Sequence, residues 1–173
     1  GKFVDADRVY IFDYDFDKYT CSNTYEWCNE GIIPVIDDLQ DVPLDDISYW
    51  VDAHTKGEAV YIPSVMSLNL NDGVRKILEP QGVLSLLAVP MLKGNKCYGF
   101  IGFDSVRNVR TYSEFERVLL SNFTLILLSF IQNREINHEL EKTRHLLDSI
   151  LNEQKEYIIR FDIDGRVTYV NKT

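Results

Sequence analysis

The chain has 173 residues and a formal net charge of −9, with 45% hydrophobic and 26% charged residues. This composition is typical of a globular chain that buries a core, and the length suits one ordinary domain with appendages. The charge is uneven, because residues 1–54 hold 13 acidic and 3 basic residues. An acidic chain without a basic stripe lacks the electrostatic footprint of nucleic-acid-binding proteins, so we expect no nucleic-acid partner.

The cysteines and the most apolar segment indicate where such a chain resides. Cys21, Cys28 and Cys97 are too few and too widely spaced for a disulfide framework. They fit a reducing compartment, and we predict a cytoplasmic location. The most apolar run, Val118–Ile131, would rise about 21 Å as a helix, short of the roughly 30 Å hydrocarbon core of a bilayer. We therefore predict a buried helix there. The chain starts at Gly1 and enters a predicted strand almost at once, so we also expect it to be a piece of a longer protein.

The first half of the chain is predicted to form a hairpin, a loop and a helix. Period-2 alternation predicts the strands, prolines and aspartates predict the loop, and a glycine marks the helix end. Asp45 or Ser48 is expected to cap that helix. The elements are a strand at Asp7–Asp13, a turn at Asp13–Lys18, a strand at Tyr19–Asn29, a loop at Gly31–Leu44 and a helix at Leu44–Lys56.

The second half adds three strands and two helices. Ser113 is followed three residues later by Glu116, a capping-box pattern that predicts the start of a long helix. The elements are a strand at Glu58–Pro63, a helix at Asn71–Glu79, strands at Val83–Leu92 and Cys97–Asp104 around a Gly94-Asn95 turn, and the helix from Ser113. The order β-β-α-β-α-β-β-α predicts an α+β fold of α/β/α layers, with a central antiparallel sheet and helices on both faces.

Several segments, in this order, resemble GAF domains. They are ADRVYIF, SNTYEWCNEGI, the Ile62-Pro63 step, SLLAVPMLKGNKCYGFIGFDSV and the serine-capped helix. The strongest likeness lies in the two strands that hold Val89-Pro90, Gly99, Gly102 and Asp104. The resemblance covers roughly Asp5–Gln132 and implies a GAF fold of the kind found beside PAS modules in bacterial histidine kinases and cyclic-di-GMP signalling proteins. Such domains usually open with a helix before the first strand, whereas this chain has almost nothing before Asp5. We therefore expect that helix to be missing and a partner surface to cover part of one sheet face.

The C-terminal segment Glu156–Asn171 (EYIIRFDIDGRVTYVN) reads as two strands around an Asp164-Gly165 turn. It resembles the opening hairpin of a PAS domain, which needs on the order of 100 residues. We therefore divide the chain into a GAF domain at 1–132, a helical coiled-coil-like linker at 133–154 and a truncated start of a PAS domain at 155–173.

The connector between these parts contains neither glycine nor proline from Ser113 to about Gln154. Its first half is apolar and is expected to pack on the sheet, while its second half carries heptad-spaced residues. One heptad seam runs through Ile126, Phe130, Asn133, Asn137, Leu140, Arg144, Leu147 and Leu151. A competing register runs through Ile136, Leu140, Leu147 and Ile150. We predict a parallel homodimer through this helix, with a single solvated spacer helix as the alternative.

No residue pattern predicts catalysis or a resident cofactor. Asp13, Asp15 and Asp17 begin like a calcium loop, but the residues at its sixth and twelfth positions are Lys18 and Thr24. His138 and His145 lie seven residues apart on one helical face, where a solvated surface is more expected than a metal site between chains. The cysteine-histidine pair by which some GAF domains hold bilin is absent. We predict that the chain is not an enzyme and leave its cofactor unknown.

The resemblance implies that a small molecule would sit between the sheet and the helix and loops on one face. Aromatic rings with polar tips suit such a pocket, although the same rings can simply fill a core. The predicted pocket residues are Tyr10, Phe12, Tyr25, Trp27, Trp50, His54, Ile62, Ile77, Leu86, Ala88 and Phe103. The expected function is a sensory module that relays the binding of an unknown small molecule through the C-terminal helix to PAS and output domains. The alternative is a ligand-free dimerisation scaffold, which a filled cavity would favour.

Overall fold

A computed structural model of the chain describes residues 6–153 and 158–170. Its strands are β1 (Arg8–Asp15), β2 (Thr20–Cys28), β3 (Val42–Pro43), β4 (Val60–Ile62), β5 (Ser85–Lys93), β6 (Lys96–Ser105), β7 (Ile159–Phe161) and β8 (Val167–Val170). Its α-helices are α1 (Ser48–Thr55), α2 (Gly73–Leu78) and α3 (Glu114–Glu153). The first six strands form one antiparallel sheet in the order β3-β2-β1-β6-β5-β4. The predicted α+β fold, with its antiparallel sheet, helices and long C-terminal helix, is confirmed.

The helix predicted at Leu44–Lys56 begins differently from the expectation. Leu44–Ile47 is a 3-10 helix, and α1 starts only at Ser48. A 3-10 turn places residues three apart on one side, and here it brings Leu44 and Ile47 together into the core. The predicted cap is wrong, because the residue before α1 is Ile47 and no side chain caps the helix.

The sheet separates two hydrophobic clusters. The first contains Tyr10, Phe12 and Phe100 from the central strands, packed against Trp50 of α1 and Val74 of α2. The second lies on the opposite face and contains Leu87, Val89, Ile101, Phe103, Tyr112, Leu120 and Leu128, among others. Strand residues alternate between the two faces, so each central strand contributes to both clusters.

The start of α3 is fixed by the predicted capping box. The backbone N–H of Glu116 lies 3.2 Å from the Ser113 hydroxyl oxygen, and the backbone N–H of Ser113 donates to the Glu116 carboxylate at 2.8 Å. The helix then packs on the sheet through Leu120, Thr124 and Leu128, which are buried. Among the described residues of this unit, other side chains of α3 stay exposed, with Phe115 76% and Phe123 48% exposed.

The chain divides into two compact units, Gly1–Leu128 and Ser129–Thr173. In the second, β7 and β8 pair as an antiparallel hairpin. The loop is wider than the predicted two-residue turn, because Asp162 N–H donates to the Arg166 carbonyl at 2.8 Å and the register shifts between Arg160 and Phe161. The residues predicted to flank the hairpin, Glu156 and Asn171, lie outside the described residues. Within the described ranges, no helix combines the length and apolar character needed to span a bilayer.

Candidate functional site

Aromatic rings from three elements occupy the sheet face beneath α1. Phe12 and Phe100 stack with ring centroids 5.0 Å apart and an interplanar angle of 5°. Trp50 meets Phe100 edge-on at 5.4 Å, and Tyr10 meets Phe12 edge-on at 5.5 Å. Trp50 comes from α1, whereas the other three rings come from β1 and β6, so packing of α1 on the sheet assembles the cluster.

A small cavity of about 30 Å³ remains beside these rings. It is lined by Tyr10, Phe12, Cys21, Leu39, Val42, Ile47, Trp50, Val74, Ile77, Leu78, Gln81 and Phe100. Pockets for drug-sized ligands are typically about 300–1,000 Å³, whereas one water needs only about 10–15 Å³ by this measure. The aromatic side chains therefore fill most of the predicted pocket.

His54 of α1 lies at one side of the cluster and is fully buried. Its Nδ1 is 2.7 Å from the Tyr14 hydroxyl, and its ring centroid is 5.1 Å from that of Phe100. Burial lowers the pKa of His54 to about 4, and the nearby backbone of Ala88 opposes this shift. Burial also raises the pKa of Tyr14 above its usual value. His54 is therefore neutral near pH 7, and its Nδ1 pairs with the Tyr14 hydroxyl.

A buried charged cluster, formed by Arg8, Glu26 and Asp104, lies on the same face at the end of three neighbouring strands. Arg8 Nε is 3.5 Å from a Glu26 oxygen, and Arg8 Nη1 is 3.6 Å from Asp104 Oδ2. The strands β2, β1 and β6 adjoin in this order, and the register places Arg8 opposite Asp104. One guanidinium thus serves two buried carboxylates, and these pairs bridge the three strands.

Tyr10 links the charged cluster to the cavity. Its hydroxyl donates to Asp104 Oδ1 at 2.7 Å, while its ring lines the cavity. Burial raises the pKa of Asp104 to about 7, although the Tyr10 hydrogen bond and the Arg8 charge both lower it. Burial, reinforced by the charge of Asp104, raises the pKa of Tyr10 well above its usual value. Near neutral pH the carboxyl group of Asp104 can therefore gain or lose a proton.

Two segments close over the charged cluster: residues 33–36 after β2, and Gln81 in the turn after α2. We call these two segments together the roof. Arg8 Nη2 donates to the Ile33 carbonyl at 3.2 Å, and Arg8 Nη1 donates to the Gln81 side-chain oxygen at 3.3 Å. Glu26 Oε2 accepts from the backbone N–H groups of Val35 and Ile36 at 2.9 and 3.1 Å. The charged cluster therefore holds the loop after β2 and the turn after α2 against the sheet.

The structure brings only part of the predicted pocket together. Of the predicted residues, Tyr10, Phe12, Trp50 and Ile77 line the cavity. Four further predicted residues are buried, namely His54, Ile62, Leu86 and Ala88. The last three belong to the hydrophobic cluster beneath α1, and the ring of His54 contacts that of Phe100 in this cluster.

Three predicted pocket residues lie elsewhere. Phe103 belongs to the cluster on the opposite face, because it is one residue out of phase with Gly102 and Asp104 along β6. On β2, Tyr25 is 57% exposed and Trp27 is half-buried. Sequence reasoning missed Arg8, Glu26 and Phe100, although charged residues inside alternating strands were the available signal for the first two. Whether any of these residues contacts a ligand stays a prediction.

The residues predicted to form the dimer seam lie on α3. Ile126, Phe130, Leu140 and Leu147 have exposed side chains, as do Asn133 and Asn137, while Leu151 is half-buried. The seam itself stays a prediction.

The three thiols are poorly suited to nucleophilic attachment. Cys21 lines the cavity, but burial raises its pKa to about 12, and burial also raises the pKa of Cys97 and Cys28. The thiolate is the reactive form, so none of these cysteines is activated. Within the described residues, no group of three or more histidine, cysteine or acidic side chains is placed to hold a metal ion.

The chain is similar to proteins of known family. Residues 1–127 match the family model of the GAF domain. The methanogenesis regulatory histidine kinase FilI of Methanothrix harundinacea is 34% identical over 121 residues, 67% of this chain and 13% of that protein. The chain therefore spans only a small part of the length of this curated relative.

Solved structures share the fold at low sequence identity. The blue-light-absorbing form of the Thermosynechococcus elongatus PixJ GAF domain has a TM-score of 0.65 at 23% identity, with 84% of each chain covered. A far-red-absorbing structure with bound biliverdin IXa has a TM-score of 0.65 at 18% identity, covering 78% of this chain and 84% of that one. A tetrapyrrole does not fit the residues present here, because the cavity is about 30 Å³ and its one thiol, Cys21, is held protonated.

Proposed function

Because the chain belongs to the GAF domain family, we propose that it is the sensory input module of a histidine-kinase-type signalling protein. In this proposal it responds to a small molecule at the sheet face beneath α1 and relays the response along α3. The FilI likeness supports a regulatory kinase context, and cyclic-di-GMP signalling is the other context proposed from the sequence.

One observation carries the proposal. The helix α3 packs on the sheet through Leu120 and Leu128 and continues without interruption to Glu153. In this proposal a change at the sheet that moves Leu120 also moves the helix, because packed secondary-structure elements can carry coupling between sites. The hairpin of β7 and β8 would begin a PAS domain, which in turn would precede an output domain.

The proposed module acts as a homodimer through α3. Large apolar side chains on its exposed face, such as Phe130 and Leu140, support this arrangement. We further propose a cytoplasmic location, in keeping with three free cysteines, and no catalytic activity for this part of the protein.

A second candidate function is a ligand-free dimerisation scaffold. The filled pocket favours it, because a cavity of about 30 Å³ leaves room for little more than water. A sensor with this structure must open the roof or shift α1 before it can admit a molecule of ordinary metabolite size. The two candidates therefore differ in whether the closed pocket ever opens.

Native mass spectrometry of the purified chain, compared with its denatured mass, tests the proposal. Non-covalent mass of a few hundred daltons per chain would support a sensor, and a dimer without added mass would favour the scaffold. Trp50→Ala and His54→Ala should lower ligand occupancy and leave dimerisation intact. Tyr25→Ala is the matched control, because Tyr25 is exposed away from the cavity. If both pocket variants bind and signal as the parent chain does, ligand sensing at this site is wrong.

A further inference from the structure

We propose that two copies of α3 pair in parallel, with Leu140 and Leu147 at heptad position a and Glu139 facing Arg144 of the second copy. This inference rests on the proposed homodimer and chooses between the two registers that the sequence leaves open. It concerns residues 133–151 of α3, where all the side chains that carry the argument are described.

The apolar side chains of this segment form a largely exposed stripe, part of which borders an open groove shared with Ile158 and Tyr169 of the hairpin segment. Ile136 is 60% exposed, Leu140 65%, Leu147 54% and Ile150 46%. Spacings of four, seven and three residues place them, in this order, at d, a, a and d positions of one heptad register. A helix that repeats large apolar residues at this spacing is typical of a coiled coil. The partner surface that fits it is a second helix with the same repeat, which a second copy supplies.

The two registers treat the polar residues differently. In the first register, which runs through Asn137, Leu140 and Leu147, Arg144 occupies an a position. A charge there is buried between the helices at a cost in stability. Asn133 and Asn137 then add two more polar core positions. In the second register the core runs Asn133, Ile136, Leu140, Thr143, Leu147 and Ile150, which contains no charge. A single polar a residue such as Asn133 is the usual device that fixes alignment in a parallel pair.

The second register also accounts for the charges. Glu139 falls at g and Arg144 at e, five residues later. In a parallel coiled coil the g residue of one helix faces the e residue of the next heptad on its partner, so this pair brings opposite charges together twice per dimer. In the first register the corresponding positions hold Ile136 and Glu141, or Thr143 and Asp148, and give no such pair.

All other ionisable residues of this segment lie outside the interface in the second register. They fall at b, c and f, the positions that face water, and are Arg134, Glu135, His138, Glu141, Lys142, His145 and Asp148. The Glu139 carboxylate already lies 3.0 Å from Lys142 on the same helix, where both side chains are exposed. That exposed pair costs little to exchange for Arg144 of the second copy.

Charge exchange tests the pair. Glu139→Arg and Arg144→Glu each place like charges across the interface, and we expect the dimer dissociation constant to rise about 3- to 30-fold in each. The double variant E139R/R144E restores opposite charges and should return to within about threefold of the parent chain. Glu141→Arg, at position b, is the matched control and should change the constant by less than about twofold. Sedimentation gives the constants, and circular dichroism checks that helix content is unchanged.

Cysteine crosslinking tests register and orientation independently of charge. Ile136 and Asn137 are adjacent, but Ile136 is a core residue only in the proposed register and Asn137 only in the other. In a Cys28→Ser background, Ile136→Cys should form an intermolecular disulfide at least about tenfold faster than Asn137→Cys, because core positions hold the two thiols closest. Faster crosslinking of Asn137→Cys, or slow crosslinking of both, would overturn the proposal.

The possible failures are distinct. A chain that stays monomeric at all concentrations overturns the dimer in the proposed function and this inference together. A dimer in which the double variant is no better than the single ones overturns the pairing and leaves the dimer standing. Ligand binding at the sheet face is measured by mass and is independent of either result.

Discussion

The hydroxyl of Tyr10 lies 2.7 Å from a carboxylate oxygen of Asp104, and both side chains are buried. Burial raises the pKa of both groups, so Tyr10 keeps its proton and donates, while Asp104 titrates near pH 7. The nearby charge of Arg8 lowers the pKa of Asp104 but does not cancel the larger effect of burial. Folding therefore couples the stability of the sheet to the protonation of one carboxyl group.

Asp104 should make the chain less stable as the pH rises from about 4 to 7. The native state keeps the proton up to a pKa of about 7, whereas an unfolded aspartate loses it near 3.8, so unfolding releases a proton in this window. The free energy of unfolding should fall by at most about 1.4 kcal/mol per pH unit. Asp104→Asn removes this dependence, which urea unfolding at pH 5, 6 and 7 would measure. The exposed Asp15→Asn is the control, and a parallel profile for Asp104→Asn and the parent chain would contradict the prediction.

His54 should change the free energy of unfolding with pH in the opposite direction from Asp104. Its pKa falls from 6.5 to about 4 on folding, so the unfolded state binds more protons between these values. Its contribution to stability is therefore present above pH 6.5 and lost as the pH falls towards 4. His54→Gln should lose this slope, again at most about 1.4 kcal/mol per pH unit. His138→Gln, on the exposed part of α3, should keep the parent profile, and equal profiles for both variants would disprove the assignment.

Gly102→Ala should destabilise the chain by about 1–3 kcal/mol or more, through overpacking. A Cβ atom at this position would lie 2.0 Å from the ring of Tyr10, which faces Gly102 across β1 and β6. The ring cannot move freely, because its hydroxyl is bonded to Asp104. Chemical unfolding measures the loss, and repeating the substitution in a Tyr10→Ala background supplies the control. The loss should shrink there, and an unchanged loss would mean that Tyr10 is not the obstacle.

Ser113→Ala should cost about 1 kcal/mol, since it removes the side-chain cap at the start of α3. The Ser113 hydroxyl lies 3.2 Å from the Glu116 N–H and 2.7 Å from the Glu116 carboxylate. Ser121→Ala, within the same helix, is the matched control, because its hydroxyl donates to the Arg117 carbonyl one turn earlier and caps no helix end. Thermal unfolding of the two variants should differ, with Ser113→Ala the less stable, and equal losses would contradict the capping role.

Local signals in the sequence were sufficient to predict secondary-structure elements such as β1 and the start of α3. The capping box of Ser113 and Glu116 lies within four residues, and the alternation in β1 is visible in seven, so no tertiary information is needed to find them. The start of α1 could not be found in this way, because burial of Leu44 and Ile47 decides it and burial is a property of the whole fold.

The charged cluster was beyond sequence reasoning for a different reason. Arg8 and Asp104 stand far apart in the chain and meet only because β1 pairs with β6 in a register that a one-residue slip would destroy. The closing of the pocket likewise depends on the combined volume of four rings, which no motif encodes. The residue types in the pocket were thus partly predictable, and their packing was not.

The bonds from Val35 and Ile36 to Glu26 give the roof a kinetic signature. These amide hydrogens belong to a loop, yet a buried carboxylate rather than a strand or helix neighbour holds them. They can exchange with solvent deuterium only when the roof separates from the sheet. Their exchange rate, measured beside those of the strand amides, would therefore show how often the closed site opens while the rest of the sheet stays folded.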